Sequence, residues 1–420
     1  MTTLFRQLAG DEAATQASPF ASIIVNNFNY GRFLRDAIDS ALNQEYREIE
    51  VIVVDDGSTD NSREIIASYG SQIRTVLKSN GGQASAINAG FAASHGEIIF
   101  FLDSDDILRP NAVAKVVPHF LIPGTSKVHW PMWLIDAMGE KTGGTRPPEV
   151  PPEGDFRAQV LQRGPSNVAS SPTSGNAWSR TLLERILPIP EDLAYYRSCA
   201  DEYLYTLAPV FGQVRTLAEP QSCYRIHGNN VYSSRSFREK LELELSGYDQ
   251  QCDALGCVLE RNAISVDVIS WKQHSWFHRL DRGVQDILEV IPEGDMFVLI
   301  DSNTWGLGRE LEGRTIRPFF EQAGMDWGPP TDDRMALHCL QTMFHDDVGF
   351  LVVGWSCFWW LEEYVAMFHR LEQVARRAVC NDDVIIFDLR RPADAFDKSN
   401  TAIEAAGMNA TRPSWRSSHV

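Results

Sequence analysis

From residue 21 to residue 102 the chain alternates between two hydrophobic patterns. Residues 21–26 (ASIIVN), 49–54 (IEVIVV), 73–77 and 98–102 (IIFFL) are continuous apolar runs with the length and β-branched or aromatic character of buried strands. Between them, residues 33–42, 61–69 and the stretch running through Ala92 carry apolar positions at helical spacing. Strands alternating with helices of about ten residues predict a parallel, doubly wound α/β sheet. Ligands of such sheets sit beyond the carboxyl ends of the strands. Polar clusters follow three of the runs, at 26–29, 55–60 and 103–106. The three should gather along one edge.

The cluster Asp103-Ser104-Asp105-Asp106 is the most demanding of these. Packed carboxylates repel one another, and taking them out of water is costly. In an extended chain Asp103 and Asp105 point to one side. Two oxygen donors so placed suit a hard divalent cation, Mg²⁺ or Mn²⁺. Taken alone, the same residues also read as a solvated turn with Asp105 or Asp106 capping the next helix. Asp60 or Ser58 stands in the equivalent place before residues 61–69.

Past residue 120 the pattern becomes irregular, with Pro-Gly, Gly-Gly and two Pro-Pro pairs before residue 153. Residues 129–133 (HWPMW) predict a strand, and Ser179 an N-cap after the turn at 173–178. Asp201 and Glu202 open an apolar helix, where Asp201 can cap and both acids complement the helix dipole. Residues 235–260 and 265–291 predict further helices, the second ended by Pro292-Glu293-Gly294. A strand at 296–300 ends in Asp301-Ser302-Asn303. Helices and strands then alternate to residue 388, with Thr331 or Asp332 capping one helix. This organisation predicts a tail at 1–20, an α/β domain at 21–238 and a connecting helix at 239–262. A second, smaller α/β domain at 263–395 and a tail at 396–420 complete it.

Composition narrows the chemistry. The 420 residues are 44% hydrophobic and 10% aromatic, as in a globular protein, and the formal net charge is −18. That charge argues against nucleic acid or an anionic membrane as the main partner. Seven cysteines without a C-x-x-C pair predict reduced thiols and a cytoplasmic setting. The first 20 residues lack the pattern of a secretory signal. Residues 348–361 (VGFLVVGWSCFWWL) are too short and interrupted to span a bilayer, and predict a buried strand turning into a helix. Peripheral contact with the inner face of a membrane stays open. A phosphate-cradling G-x-x-x-x-G-K-[ST] loop is missing, as is a G-x-G-x-x-G after the first strand. Gly306 and Gly308, near Asp301, lack dinucleotide spacing as well.

Three stretches, SIIVNNFNYGRFLRDAIDSALNQ, VIVVDDGSTDNS and SNGGQASAINAGFAASHGEIIFFLDSDDILRP, together resemble the nucleotide-sugar half of a family-2 glycosyltransferase with the GT-A fold. The resemblance implies a metal-dependent, inverting transfer of a sugar from a nucleoside-diphosphate donor, UDP foremost, to an acceptor hydroxyl. Surface polysaccharide or glycolipid assembly is its implied setting. Donor contacts would come from Asn27, Phe28, Asn29, Asp55, Asp56, Gln83, Asn88, Asp103 and Ser104, with Phe28 stacking on the base and Asp56 bonding it. Asp105, with His227 of a Y-R-x-H-x-x-N segment, would hold the divalent cation. Asp201 would be the catalytic base, and Ser174, Gly175, Asn176 and Glu202 would border a glycan or glycolipid acceptor. One departure is visible: the family often has Pro-x-Tyr-Asn where this chain has Asn26-Asn27-Phe28-Asn29. Residues 263–395 resemble no family, and acceptor recognition or oligomerisation is open to them. A nucleotidyltransferase and a catalytically silent nucleotide-sugar-binding module remain as rival readings.

Overall fold

The computed structural model describes residues 18–165, 168–227, 236–322, 325–326, 328–346 and 348–390. The expected tails lie outside the described residues except for 18–20, as does Asn230, the last position of the Y-R-x-H-x-x-N segment. The chain divides into two units, Met1–Arg235 with Glu242–Ser275, and Ser236–Leu241 with Trp276–Val420.

In the first unit the four apolar runs are strands β1 (Ala21–Asn27), β2 (Ile49–Asp55), β3 (Arg74–Leu77) and β4 (Ile98–Asp103). Helices α1 (Gly31–Leu42), α2 (Ser62–Ser68) and α3 (Gln83–Ala93) alternate with them. All four strands are parallel, with Ala21 opposite both Ile49 and Ile98. Residues 98–102 are at most 1% exposed. Burying such side chains stabilises by about 1.5–3 kcal/mol each, which offsets the cost of the acids that follow.

The chain continues through β5 (Ile107–Leu108), α4 (Ala112–Phe120), β6 (Thr125–His129), β7 (Met132–Ile135), β8 (Lys141–Arg146) and α5 (Arg157–Arg163). Then come β9 (Asn176–Ser179), α6 (Arg180–Ile186), α7 (Ala200–Phe211), β10 (Gln213–Thr216) and β11 (Ser222–Arg225). Seven strands form one sheet in the order β10-β6-β9-β4-β1-β2-β3, and only β9 runs against its neighbours. A smaller sheet has the order β5-β11-β7-β8. The first core lies between the main sheet and α1, α2 and α4. Helices α8 (Phe237–Arg261) and α9 (Val268–His274) follow, mostly grouped with this unit.

Several local expectations are corrected. Residues 129–133 are not one strand: β6 ends at His129, and the chain passes through Trp130-Pro131 into the smaller sheet, because Pro131 has no N–H for a ladder. The stretch 265–291 is two helices parted at Ser275, α9 and α10 (Trp276–Val290). Asp106 caps nothing, since α4 begins only at Ala112, after Asn111. Asp60 accepts the N–H of Ser62 at 3.0 Å, although the cap position of α2 is Asn61. Ser179 is the N-cap of α6, accepting from Leu182 N.

The second unit carries β12 (Met296–Ile300), β13 (Glu310–Leu311), β14 (Arg314–Pro318), β15 (Glu321–Gln322), β16 (Met325–Asp326), α11 (Asp333–His345) and β17 (Phe350–Gly354). It ends with α12 (Trp360–Glu363), α13 (Val365–Val374), β18 (Arg376–Cys380) and β19 (Val384–Asp388). Its six-stranded sheet, β13-β14-β12-β17-β19-β18, is parallel at β14-β12-β17 and antiparallel elsewhere. Asp332 caps α11 through Met335 N. Asp301 closes its own turn, with one oxygen accepting from Asn303 N and the other from Trp305 N. All seven cysteines are free thiols. Among the described residues no helix is long and apolar enough to cross a membrane.

Candidate functional site

The ends of β1 and β2 are tied together by their own polar residues. Asp55 is fully buried and accepts from Asn27 Nδ2 at 3.1 Å, Ser58 N at 3.2 Å and Arg63 Nε at 2.9 Å. Burial pushes its proton affinity up, but the donors from Ser58, Arg63 and Asn27 outweigh it and hold the carboxyl below its usual range. Asn29, at φ +58°, accepts the N–H of Thr59 at 2.7 Å. Asn27, Asn29 and Asp55 thus shape the rim through bonds to the protein itself.

Asp56 organises the Gly-rich turn. Its carboxylate accepts from Lys78 Nζ at 2.6 Å, Asn80 Nδ2 at 3.1 Å, Gly81 N at 2.9 Å and Gly82 N at 2.7 Å. Gly82 has φ +88°, and a Cβ there would stand 2.7 Å from Arg197 Cα. The Arg197 guanidinium in turn donates to Asn80 Oδ1 at 2.7 Å and Gly81 O at 3.1 Å. A cavity of about 410 Å³ opens here, lined among others by Phe28, Asp56, Gln83, Asp103, Ser104, Asp105 and Arg197. Phe28 is 44% exposed, so it faces this cavity instead of filling the core.

The Asp103–Asp106 turn is held from two sides. Asp103 N donates to Ser174 Oγ at 3.0 Å, Asp106 Oδ1 accepts from Arg225 N at 3.0 Å, and Arg225 Nε donates to Asp105 O at 2.8 Å. Asp105 Oδ2 lies 2.9 Å from His227 Nε2. Burial, then the charges of Asp105 and Asp201, push Asp103 up to about 8. Burial, then Asp105 and Asp103, drive Asp106 well above the usual range. Ionising the acids of this turn together therefore calls for positive charge beyond what the fold supplies. His227 Nδ1 is buried without a partner among the described residues, and the ring packs between Tyr30 and Phe33. One carboxylate oxygen and one imidazole nitrogen beside crowded acids fit a divalent cation. Among the described residues no group of three or more His, Cys, Asp or Glu could hold a metal alone. A cation here would draw further ligands from a diphosphate or water.

A second cavity, of about 720 Å³, is lined by Arg146, Ser170, Asp201, Glu202, Tyr205, Tyr224 and several prolines. Asp201 lies in the first turn of α7, behind the cap position Cys199, and its Oδ2 accepts from Thr173 N at 3.1 Å. Burial raises its proton affinity. Burial, then the neighbouring Asp201, push Glu202 up to about 7, while Gln251 Nε2 donates to it at 2.8 Å. Gln83, in the lining of the first cavity, is bonded to the residues next to those of the second: its Nε2 donates to Thr173 Oγ1 at 3.2 Å and its Oε1 accepts from Ala200 N at 2.9 Å.

The structure thus brings Asn27, Phe28, Asp56, Gln83, Asp103, Ser104 and Asp105 to one cavity and Asp201 with Glu202 to the other. Ser174, Gly175 and Asn176 are buried in the wall behind, Asn176 donating to Pro172 O and Ser171 O. Asn88 lies apart from both linings and bonds Ile189 and Glu191. Sequence reasoning passed over Tyr30, Asn80 and Arg197. For Arg197 a signal existed, as it is the sole basic residue between Tyr195 and Tyr205.

Residues 22–146 match the profile of Glycosyl transferase family 2. A protein of Nostoc sp. described as an uncharacterized glycosyltransferase is 38% identical over 220 residues, 51% of this chain and 66% of that one. Another of that description, from Rickettsia prowazekii, is 45% identical over 96 residues, 23% of this chain and 30% of the other. The chain therefore spans just under two thirds of the first relative and less than a third of the second. The solved structure of S. aureus TarS 1-349 in complex with UDP aligns over 58% of this chain and 71% of that one, at 20% identity and a TM-score of 0.40.

Proposed function

We propose that this chain, whose residues 22–146 match glycosyl transferase family 2, moves a sugar from a nucleoside-diphosphate donor to an acceptor hydroxyl, with inversion at the anomeric carbon. The observation that carries this reading is a hydrogen-bonded chain, Gln83 to Thr173 to Asp201, that ties the lining of one cavity to the lining of another. One cavity is edged by Asp56, Asp103 and Asp105, the other by Asp201.

The donor occupies the first cavity, its base against Phe28 and its diphosphate toward Asp105 and Arg197. Asp56 acts at one remove, by fixing the 78–82 turn that forms the cavity wall. Asp105 and His227 would hold Mn²⁺ or Mg²⁺, which when bound neutralises charge on the diphosphate. Arg197 adds a fixed cation on the same side. A glycan or glycolipid acceptor enters the second cavity, where Tyr224 and the prolines offer flat apolar surface to a sugar ring. Asp201 takes the hydroxyl proton, and the acceptor oxygen bonds to the anomeric carbon. The bond from that carbon to the diphosphate oxygen breaks, and the diphosphate leaves with the electron pair. Burial suits Asp201 to this task, because a carboxylate of raised proton affinity is a stronger base.

The test is a panel of nucleotide sugars, UDP-sugars first, with MnCl₂ and nucleotide release as the readout. Release above the no-enzyme rate supports the reading. UDP binding without release from any donor, with or without added glycan, would leave a binding module in its place.

A further inference from the structure

Strand β6 buries a lysine that the transfer reaction, as described, does not use. Lys127 is 1% exposed, and among the described residues its amine forms no ion pair and donates to Ser170 Oγ. Nζ lies 5.2 Å from the ring centroid of Trp178 and 5.6 Å from that of Tyr205. Side chains alternate along a strand, so Val128 enters the core shared with α4, while Lys127 and His129 turn to the other face. Tyr205 follows Asp201 by one turn of α7, on the same face of that helix. Tyr205, Ser170 and Asp201 all line the acceptor cavity. The amine therefore stands directly behind that cavity's wall. Lysine is almost never fully buried without a charged partner, and a Leu or Met would fill this place at lower cost.

We propose that Lys127 is a positioning residue for the transfer step: an ammonium held behind Tyr205 and Ser170 that stabilises the ionised carboxylate of Asp201. This rests on the reading of Asp201 as the base. Burial draws the proton off Lys127, and the charge of Asp201 opposes that. The faces of Trp178 and Tyr205 attract the cation further. Two further charged groups face this region: Asp103 on β4, whose proton affinity the charge of Asp201 raises, has the same sign as Asp201, and Arg146 on β8 lines the cavity with its guanidinium over the Tyr224 ring, 4.9 Å from the centroid. His129 on β6 is kept neutral, pushed down to about 2 by burial and then by Lys127. Glu202 on α7 has the same sign as Asp201. Arg215 on β10 is paired with Glu153. Strand β9 and residues 168–173 bring no charged group.

The first test needs no substrate. Lys127→Met keeps the apolar stem and removes the charge, and Lys127→Arg restores it. Without the ammonium, the folded-state pKa of Asp201 rises further above its unfolded value, so stability is lost as pH climbs. The Tm deficit of K127M against wild type should grow by about 2–4 °C from pH 5 to pH 8. Asp201→Asn should reduce that growth when the two changes are combined; the remainder belongs to Lys127 itself, because an amine held below its usual range adds stability as pH climbs. The second test uses whichever donor the panel identifies. The acid limb of kcat should move up by about one pH unit in K127M and stay in place in K127R. A Tm deficit independent of pH, or one that is the same with and without Asp201→Asn, overturns the proposal and makes Lys127 a packing residue. Coupling in Tm with no turnover by wild type on any donor overturns the transferase reading and leaves the Lys127–Asp201 pair standing.

Discussion

His227 Nε2 and Asp105 Oδ2, 122 residues apart in the chain, lie 2.9 Å from each other, with Asp105 in the lining of the first cavity. If this pair takes up a divalent cation, Asp105→Asn and His227→Ala should each weaken Mn²⁺ binding in the presence of UDP. The expected loss is at least the roughly 10–100-fold that removal of an outer-shell partner costs. Calorimetric titration with MnCl₂ measures it, and unchanged affinity in both variants would remove the assignment.

Asp201→Asn should lower kcat by about 10²–10⁴-fold while UDP affinity stays within error of wild type. The pH profile adds a sign. Burial raises the proton affinity of Asp201, so its basic form fills only as pH climbs past that raised value. Turnover should rise with pH on the acid side, and that limb should disappear in D201N. A variant with an unchanged limb would place the base elsewhere, with Glu202 first in line.

Gly82→Ala tests the turn that Asp56 holds. The new Cβ would meet Arg197 Cα at 2.7 Å, in a backbone already at φ +88°. Such strain costs about 1–3 kcal/mol, and it falls on the arginine at the diphosphate side. UDP affinity should drop. Gly70→Ala is the control, because its φ of +54° is also positive but nothing lies within 4 Å of the added carbon. It should leave nucleotide binding alone.

Ser179→Ala should cost about 1 kcal/mol by freeing the N–H of Leu182 at the start of α6. Asn61→Ala, at the start of α2, should cost less, since that side chain makes no cap bond. Thermal melts of the two variants separate them.

The sequence disclosed β1, β2 and β4 well because they are buried and uninterrupted apolar runs mark such strands, whereas β6 (TSKVH) and β9 (NAWS) carry no such run. It pointed to Asp105 because acids at the end of an apolar strand are costly unless something offsets them, and to Asp201 only through the family resemblance, since local spacing reads that residue as a helix cap. It misread Asp106 as a cap, because Arg225 N, the group that binds it, comes from 119 residues away. Asn88 and Arg197 show the same limit. The side chain of Asn88 is directed by Ile189 and Glu191, and that of Arg197 by Asn80 and Gly81, contacts that no local spacing encodes. Lys127 was not legible from local pattern, because it falls in the irregular stretch after residue 120, ahead of the strand expected at 129–133. Only the packing of α7 over β6 gives it meaning.

The reversed direction of β9 has a consequence for how this unit can evolve. A strand that enters the sheet where its neighbours leave it delivers its leading turn, Thr173–Gly175, to the rim that β4 reaches with Asp103. Within that turn Ser174 Oγ accepts from Asp103 N, and the next residue back, Thr173, donates its N–H to Asp201. Two adjacent residues therefore set the spacing between Asp103 and Asp201. On the proposed reading, donor and acceptor preferences are coupled traits: a change at Thr173 or Ser174 that admits a new acceptor should also alter which donor reacts fastest.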